Sequence, residues 1–322
     1  MPEAQGPASS LDHVLAERAV AGRRSFVRHL NEGPVPEVRI VPGAARSGSP
    51  RISVIIPTTN ASRTASLQRL IQQLAVQRFQ EFEVIIVQGD RRQGRAINTG
   101  AAIARGGILV TMDDDTQLGD DGVLEALVSA LDHDPTIGIA GVPNQIPGDA
   151  PPFMERALRE IPRRSSPVVE TVTDSDMAEH PCLAIRKEIF YRVGGEHEQI
   201  PRGLDPYLRR EVRRLGYRVV VIPGTCIHHL LPQTFRGIMR QYFRNGVGAA
   251  YVKKFYPACV IDQEVAHDEP VRPGTLFSHR ALRYGGHLLG AVASRRWIYL
   301  GTLGAYALGY ARGILTLRKD SL

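Results

Sequence analysis

Three carboxylates stand in a row at Asp113, Asp114 and Asp115, directly after the apolar run ILVTM at 108–112. Alternate side chains of an extended chain share a face, so Asp113 and Asp115 would point the same way if the strand continued. Two hard oxygen ligands on one side suit Mn²⁺ or Mg²⁺, with phosphate oxygens and water completing an octahedron. Without a counter-charge the cluster repels itself. An acidic turn or helix cap, helped by Thr116 and Asp120, is the alternative. The cysteines suggest no further metal or disulfide chemistry. Cys182, Cys226 and Cys259 are far apart and form no CxxC pair, which makes a zinc site or a disulfide framework unlikely and reduced cytosol the expected setting.

The elements that must position these carboxylates alternate. ISVII (52–56), EVIIV (83–87) and ILVTM (108–112) are short continuous apolar runs rich in β-branched residues, the pattern of buried parallel strands. Between them, Thr64 to Gln77 has the periodicity of an amphipathic helix through Leu67, Leu70, Ile71 and Leu74, and Arg95 to Arg105 reads as a small-residue helix. A helix from Gly122 to Leu131 precedes a strand near GIAGV (138–142). Such alternation predicts an α/β fold with a mainly parallel sheet covered on both faces. Ligands of such sheets bind beyond the carboxyl ends of the strands, where Asp113 lies. Residues 143–180, rich in Pro, Ser and charge, read as long loops. HPCLAI (180–185) reads as a strand, Leu204 to Leu215 as a helix ending at Gly216, and Arg218 to Ile222 as a strand stopped by Pro223-Gly224.

Taken in order, ISVIIPTTN, EVIIV and GRAINTGAAIARGGILVTMDDDT resemble the core of the family 2 inverting glycosyltransferases. The resemblance implies a GT-A-type three-layer fold and a nucleotide-sugar donor. It places Pro57, Thr58, Thr59 and Asn60 in a turn beside the nucleotide, and Asn98 in a Gly-x-x-x-Asn-x-Gly helix start running from Gly94 to Gly100. It makes Asp113, Asp114 and Asp115 the Asp-x-Asp metal motif. The family has an Asp just after the second strand that contacts the base. Here the chain reads Val87-Gln88-Gly89-Asp90, so Asp90 or Gln88 takes that place, with Arg91, Arg92 and Arg95 near enough in sequence to approach the diphosphate.

LAIRKEIFYRVGGEHEQIPRGLDPYLRREVRRLGYRVVVIPGTCIHH resembles the acceptor half of the same family. The family's general base is a carboxylate at a helix start, which here is Asp205. The Glu that usually precedes it is replaced by Leu204. A carboxylate within hydrogen-bond reach can take the acceptor's hydroxyl proton during in-line attack. An N-cap with Pro206 at the first helical position is the purely structural alternative for Asp205. The resemblance also implies a histidine as third metal ligand. The spacing from Pro223 favours His229 over His228.

The net charge of +7 is unevenly spread. Residues 233–322 carry 13 basic and 5 acidic side chains, whereas residues 51–232 carry 21 and 23. Within 234–255, Phe235, Ile238, Met239, Tyr242 and Phe243 share helical spacing beside a stripe of Arg236, Arg240 and Arg244. That is the pattern of an interfacial helix or of one closing over phosphates. Gln241-Tyr242-Phe243-Arg244 resembles the Gln-x-x-Arg-Trp signature of processive family members, with Asn245 in place of Trp. The apolar run 297–311 is shorter than a membrane span and is expected to lie at the interface.

The domains expected are therefore 1–50 as an extension with a linker at 43–50, 51–232 as the catalytic core, and 233–322 as a basic amphipathic helical tail. The expected reaction is metal-dependent sugar transfer to a glycan or lipid-linked acceptor, of the kind used in bacterial-type surface glycan or glycolipid synthesis. With no signal peptide visible, the expected location is the cytoplasmic face of the cell membrane, bound peripherally to anionic lipid. A nucleotidyltransferase of related fold would want a Gly-rich basic loop after the first strand, which is missing. A non-enzymatic binder of anionic surfaces is the other alternative. No nucleic-acid module is recognisable, and nucleic acid is not an expected partner.

Overall fold

Continuous β-branched runs can be buried on both faces only if helices cover both sides of the sheet they form. The computed structural model has that arrangement; it describes residues 9–10, 36–42, 49–59, 64–261, 285–286 and 288–319. In chain order the first elements are β1 (Ser9–Ser10), β2 (Glu37–Pro42), β3 (Ile52–Thr58), α1 (Thr64–Ala75), β4 (Phe82–Gln88), α2 (Gln93–Ile103), β5 (Ile108–Thr111) and β6 (Thr116–Leu118). Next come α3 (Val123–His133), β7 (Ile137–Gly141), α4 (Pro152–Glu160), β8 (Thr173–Asp174), β9 (Leu183–Arg186) and α5 (Lys187–Arg192). The remainder are α6 (Leu204–Arg214), β10 (Arg218–Val221), β11 (Ile227–His229), α7 (Phe235–Phe255) and α8 (Trp297–Thr316).

The main sheet has the order β1-β2-β4-β3-β5-β9-β7-β10-β8. β4, β3 and β5 are parallel neighbours, as are β7 and β10, and β9 is inserted antiparallel between the two groups. One face carries Ile52, Val54 and Ile56 against Leu67, Leu70 and Leu74 of α1 and Leu124 and Leu127 of α3. The other carries Ile55, Ile85 and Val87 against Ala96 and Ile97 of α2 and Leu208 and Val212 of α6. The result is three layers, with the carboxyl ends of β3, β4 and β5 along one edge.

Two differences from the sequence reading are informative. The sheet begins before Arg51: β2 pairs antiparallel with β4 from Glu37 opposite Gln88 to Pro42 opposite Glu83. The stretch 1–50 thus supplies strands as well as a connection, while Leu11 to Leu30, whose spacing predicts a short helix, and residues 43–48 of the linker lie outside the described residues. The loops expected at 143–180 contain α4. Pro152 starts it without an amide hydrogen to satisfy, and Met154, Ala157 and Leu158 bury its inner face.

α7 and α8 pack almost backbone to backbone. A Cβ on Gly246 would lie 2.1 Å from the Tyr306 carbonyl oxygen, and one on Gly309 would lie 2.0 Å from that of Phe243. Only glycine permits this approach. The pair is seated on the core through Ile238 and Ile298, which pack with Met154, Leu158 and Leu231. Among the described residues, no helix is long and apolar enough to cross a membrane.

Candidate active site

The chain turns sharply after β5, and this turn divides the three aspartates. Thr116 N donates to Asp113 O at 3.1 Å, closing the turn. Asp114 is buried and accepts from the Thr58 hydroxyl at 2.6 Å, tying the ends of β3 and β5 together. Asp113 and Asp115 face the other way. β6 then pairs antiparallel with β11, and this register sets His229 opposite Thr116, one residue from Asp115. His229 Nε2 lies 3.2 Å from Asp115 Oδ1 and 3.8 Å from Asp113 Oδ2. One ligand atom from each of the three lies within 4.8 Å of the others. His228, on the opposite side of β11, has its Nδ1 2.8 Å from the Gln145 carbonyl oxygen, so the strand turns His229 rather than His228 into the cluster.

Burial pushes the Asp113 carboxyl up to about 6, and Asp115 adds to the rise while His229 opposes it. Burial lowers the His229 imidazole, but Asp115 and Asp113 more than offset this and leave it raised. Two carboxylates and an imidazole converging at a sheet edge form a donor set that a hard divalent cation fits. Gln93, at the start of α2, donates to Asp113 Oδ1 at 2.9 Å and orients it, a role that no local motif marks.

The residues expected around the nucleotide separate into two groups. Pro57 and Thr58 end β3 at the cleft edge, next to the exposed Gln88. Asn60 lies outside the described residues. Asp90 and Arg95 instead form a buried ion pair, Arg95 Nε to Asp90 Oδ2 at 3.0 Å, and Arg95 is fully enclosed. In this conformation Arg95 anchors Asp90. Asn98 is likewise turned inward. It accepts from Glu196 N at 2.9 Å and donates to Glu196 O at 3.0 Å and to Glu198 Oε1 at 2.9 Å.

Asn98 thus clamps the loop before α6, and its neighbours in the motif serve the same packing. A Cβ on Gly94 would meet the His197 carbonyl oxygen at 2.7 Å, and one on Gly100 would meet Ile55 Cγ2 at 2.5 Å. Gly-x-x-x-Asn-x-Gly therefore reads here as a helix-to-loop docking pattern.

That loop delivers Asp205. The left-handed Gly203, with φ +84°, occupies the cap position of α6, and Asp205 falls inside the first turn. Its carboxylate accepts from the backbone N–H of His180 at 2.7 Å, so the capping alternative does not describe it. Burial pushes the Asp205 carboxyl up, but His180, Arg209, the His180 N–H and Arg163 outweigh it and hold the group below its ordinary value. His180 is itself buried, its Nδ1 3.2 Å from the Thr111 hydroxyl and its Nε2 3.1 Å from Glu196 Oε1. Burial alone would lower the imidazole; Glu196 and Asp205 carry it up to about 9. A half-buried carboxylate held below its ordinary value, within electrostatic reach of Asp113, has the charge state a general base needs.

Residues 88–194 match the family model Glycosyl transferase family 2. The mannosyltransferase PcManGT from Pyrobaculum calidifontis, solved in complex with GDP-Man and Mn²⁺, superposes with a TM-score of 0.54 at 16% identity, covering 95% of this chain and 99% of that one. Residues 1–349 of S. aureus TarS, solved with UDP-GlcNAc, align with a TM-score of 0.46 at 14% identity over 81% of each chain. No curated protein matches the chain in sequence.

Proposed function

We propose that this glycosyltransferase, with its family 2 core on a GT-A fold, transfers a sugar from a nucleoside diphosphate sugar to an acceptor hydroxyl with inversion. The observation that carries this reading is the convergence of Asp113, Asp115 and His229 at the carboxyl edge of the sheet, with the ionised Asp205 nearby. Asp113, Asp115 and His229 would hold a divalent cation, Mn²⁺ or Mg²⁺. When bound, that cation would neutralise charge on the donor's diphosphate. Pro57, Thr58 and Gln88 stand where the nucleoside would lie, beyond the ends of β3 and β4. Asp205 takes the proton of the acceptor hydroxyl as its oxygen bonds to the anomeric carbon. The bond from that carbon to the diphosphate oxygen breaks, and its electron pair leaves with the nucleoside diphosphate.

A donor binds only the folded enzyme and must therefore raise its melting temperature. Melting the protein with GDP-Man, UDP-GlcNAc and a wider panel of nucleotide sugars, each with and without Mn²⁺, should reveal one that stabilises only when the metal is present. A panel in which nothing stabilises would overturn the proposal.

The acceptor in this reading is a glycan or lipid-linked acceptor, and the enzyme works on the cytoplasmic face of the membrane, bound peripherally. Support comes from the outer side of the α7–α8 pair. Trp297, Leu308, Ile314 and Leu315 are exposed there, as are Arg236, Arg240, Arg244, Arg312 and Arg318. An apolar face rimmed by arginines suits an anionic lipid surface. Deleting residues 233–322 would also strip Ile238 and Ile298 from the core, so point variants give a cleaner test. Leu308→Glu with Leu315→Glu should weaken sedimentation with anionic vesicles by more than about tenfold, since each buried leucine contributes roughly 1.5–3 kcal/mol. Added salt should weaken the wild type. Equal vesicle binding by the double variant would count against the membrane reading.

A further inference from the structure

Most arginines around the cleft are already committed. Arg95 is paired with Asp90, and Arg209 and Arg213 with Asp176. Arg163 reaches Glu179 and the Asp176 carbonyl oxygen. Arg164 differs: among the described residues its guanidinium has no carboxylate partner, and its hydrogen bond goes to the Tyr242 hydroxyl of α7, 3.1 Å from Nε. The guanidinium carbon is 5.7 Å from the centre of the Tyr242 ring.

Backbone geometry aims this side chain. Arg163 has φ +64°, one of two non-glycine residues with positive φ among those described. That conformation costs an L-residue about 1 kcal/mol or more. Arg163 reaches Glu179 and the Asp176 carbonyl oxygen, while Arg164 bonds Tyr242 and lies within electrostatic reach of Glu179, Asp115 and His229. Asn144 fixes the distance between the two sides of the site. Its Oδ1 accepts from His229 N at 2.9 Å, and its Nδ2 donates to Arg164 O at 2.9 Å. One side chain thus joins the third metal ligand to the arginine's backbone. Ser166, donating its N–H to Asn144 O at 2.8 Å, completes the stitch.

We propose that Arg164, oriented by Tyr242, is the cation that binds the donor's diphosphate on the side opposite Asp113 and Asp115, and that it stabilises the charge left there as the sugar departs. The inference rests on the glycosyltransferase reading and adds a residue that neither the sequence nor the family match singles out. Guanidinium suits the role because it offers several donors in a plane to adjacent phosphate oxygens. Its N–H groups beyond Nε remain for the ligand. Tyr242 acts as a positioning residue from α7, so the helical tail contributes to the catalytic site through that hydroxyl rather than through its exposed arginine stripe.

The test is calorimetric binding of GDP and UDP, each with Mn²⁺, to wild type, Arg164→Met, Arg164→Lys and Tyr242→Phe. The backbone bonds of Arg164 survive these changes, so the ligand-free melting temperatures should match. Arg164→Met should bind the preferred nucleoside diphosphate about tenfold to a hundredfold more weakly, the size expected for losing a charged hydrogen bond. Lysine should restore part of the loss, and Tyr242→Phe should cost a few-fold. Affinity for the corresponding nucleoside without phosphate should not change. Binding by Arg164→Met within twofold of wild type would overturn the assignment, as would an equal loss for the bare nucleoside. Should Arg164→Met fail to fold, Tyr242→Phe decides, and unchanged affinity in that variant overturns the proposal. Failure of the wild type to bind either nucleoside diphosphate would instead remove the glycosyltransferase reading beneath it.

Discussion

Asp205→Asn is expected to slow sugar transfer by roughly 10²–10⁴, the range typical of losing a general base, while folding and donor affinity stay nearly unchanged. Asparagine keeps the size of the side chain, and its Oδ1 can still accept the His180 N–H that now bonds Asp205 at 2.7 Å. What it cannot do is take a proton at neutral pH. The Asp205 carboxyl is held below its ordinary range, with burial opposing and His180 and Arg209 prevailing. It is therefore ionised throughout the neutral range, and Asp205 itself should contribute no acid limb to the rate profile above the usual carboxylate pKa of about 4. The same shift has a stability sign. A depressed folded pKa contributes stability above the unfolded value, and that contribution is lost as pH falls through the folded one. Transfer rate and nucleotide-sugar affinity on the Asn variant decide the matter. A rate within a few-fold of wild type would move the base elsewhere. A collapse of affinity together with rate would mean that Asp205 builds the donor site.

How much of this was legible in the sequence depends on the range of the interactions. The strands of the core could be read because their signal is local: each is a continuous β-branched run closed by Gly, Pro or a polar turn. Asp113 and Asp115 could be read for the same reason. The choice of His229 depends on the pairing of β6 with β11, more than a hundred residues apart, and only parity along a strand hinted at it. For Asn98 and Arg95 the motif suggests ligand contact, while the bonds they make in this structure go to buried protein groups, Glu196 and Glu198 for one and Asp90 for the other. No spacing rule reveals which polar side chains a fold will turn inward. Arg164 lies in the stretch 143–180 expected as loops, and its bond to Tyr242 joins residues 78 apart, which no local pattern reveals. β2, at Glu37–Pro42, precedes the linker expected at 43–50, and a lone six-residue strand there carries little local signal.

The second large effect concerns the cluster itself. Asp115→Ala should lower turnover by about 10³-fold or more, because a cation at the diphosphate is worth several kcal/mol in the transition state. Stripping the wild type with excess chelator should reproduce the loss, and Mn²⁺ or Mg²⁺ should reverse it. His229→Ala should do less: Asp113 and Asp115 remain, and imidazole is the softest and least essential of the three ligands to a hard cation. The structure adds a way to separate lost metal from lost fold. Asp115 lies on the half-buried side of the turn, whereas Asp114, bonded to Thr58 at 2.6 Å, holds β3 to β5. Asp114→Ala should therefore lower the melting temperature without metal. Asp115→Ala should leave it unchanged or raise it, since it relieves the repulsion that helps push Asp113 up to about 6. The clearest reading is the donor's thermal stabilisation, which is about 2.7 kcal/mol at a hundred times the dissociation constant. It should need Mn²⁺ in the wild type and vanish in Asp115→Ala at the same nucleotide-sugar concentration. Full turnover in excess chelator, or undiminished metal-dependent stabilisation of Asp115→Ala, would mean that these carboxylates hold no cation. The diphosphate's charge would then have to be met by side chains alone.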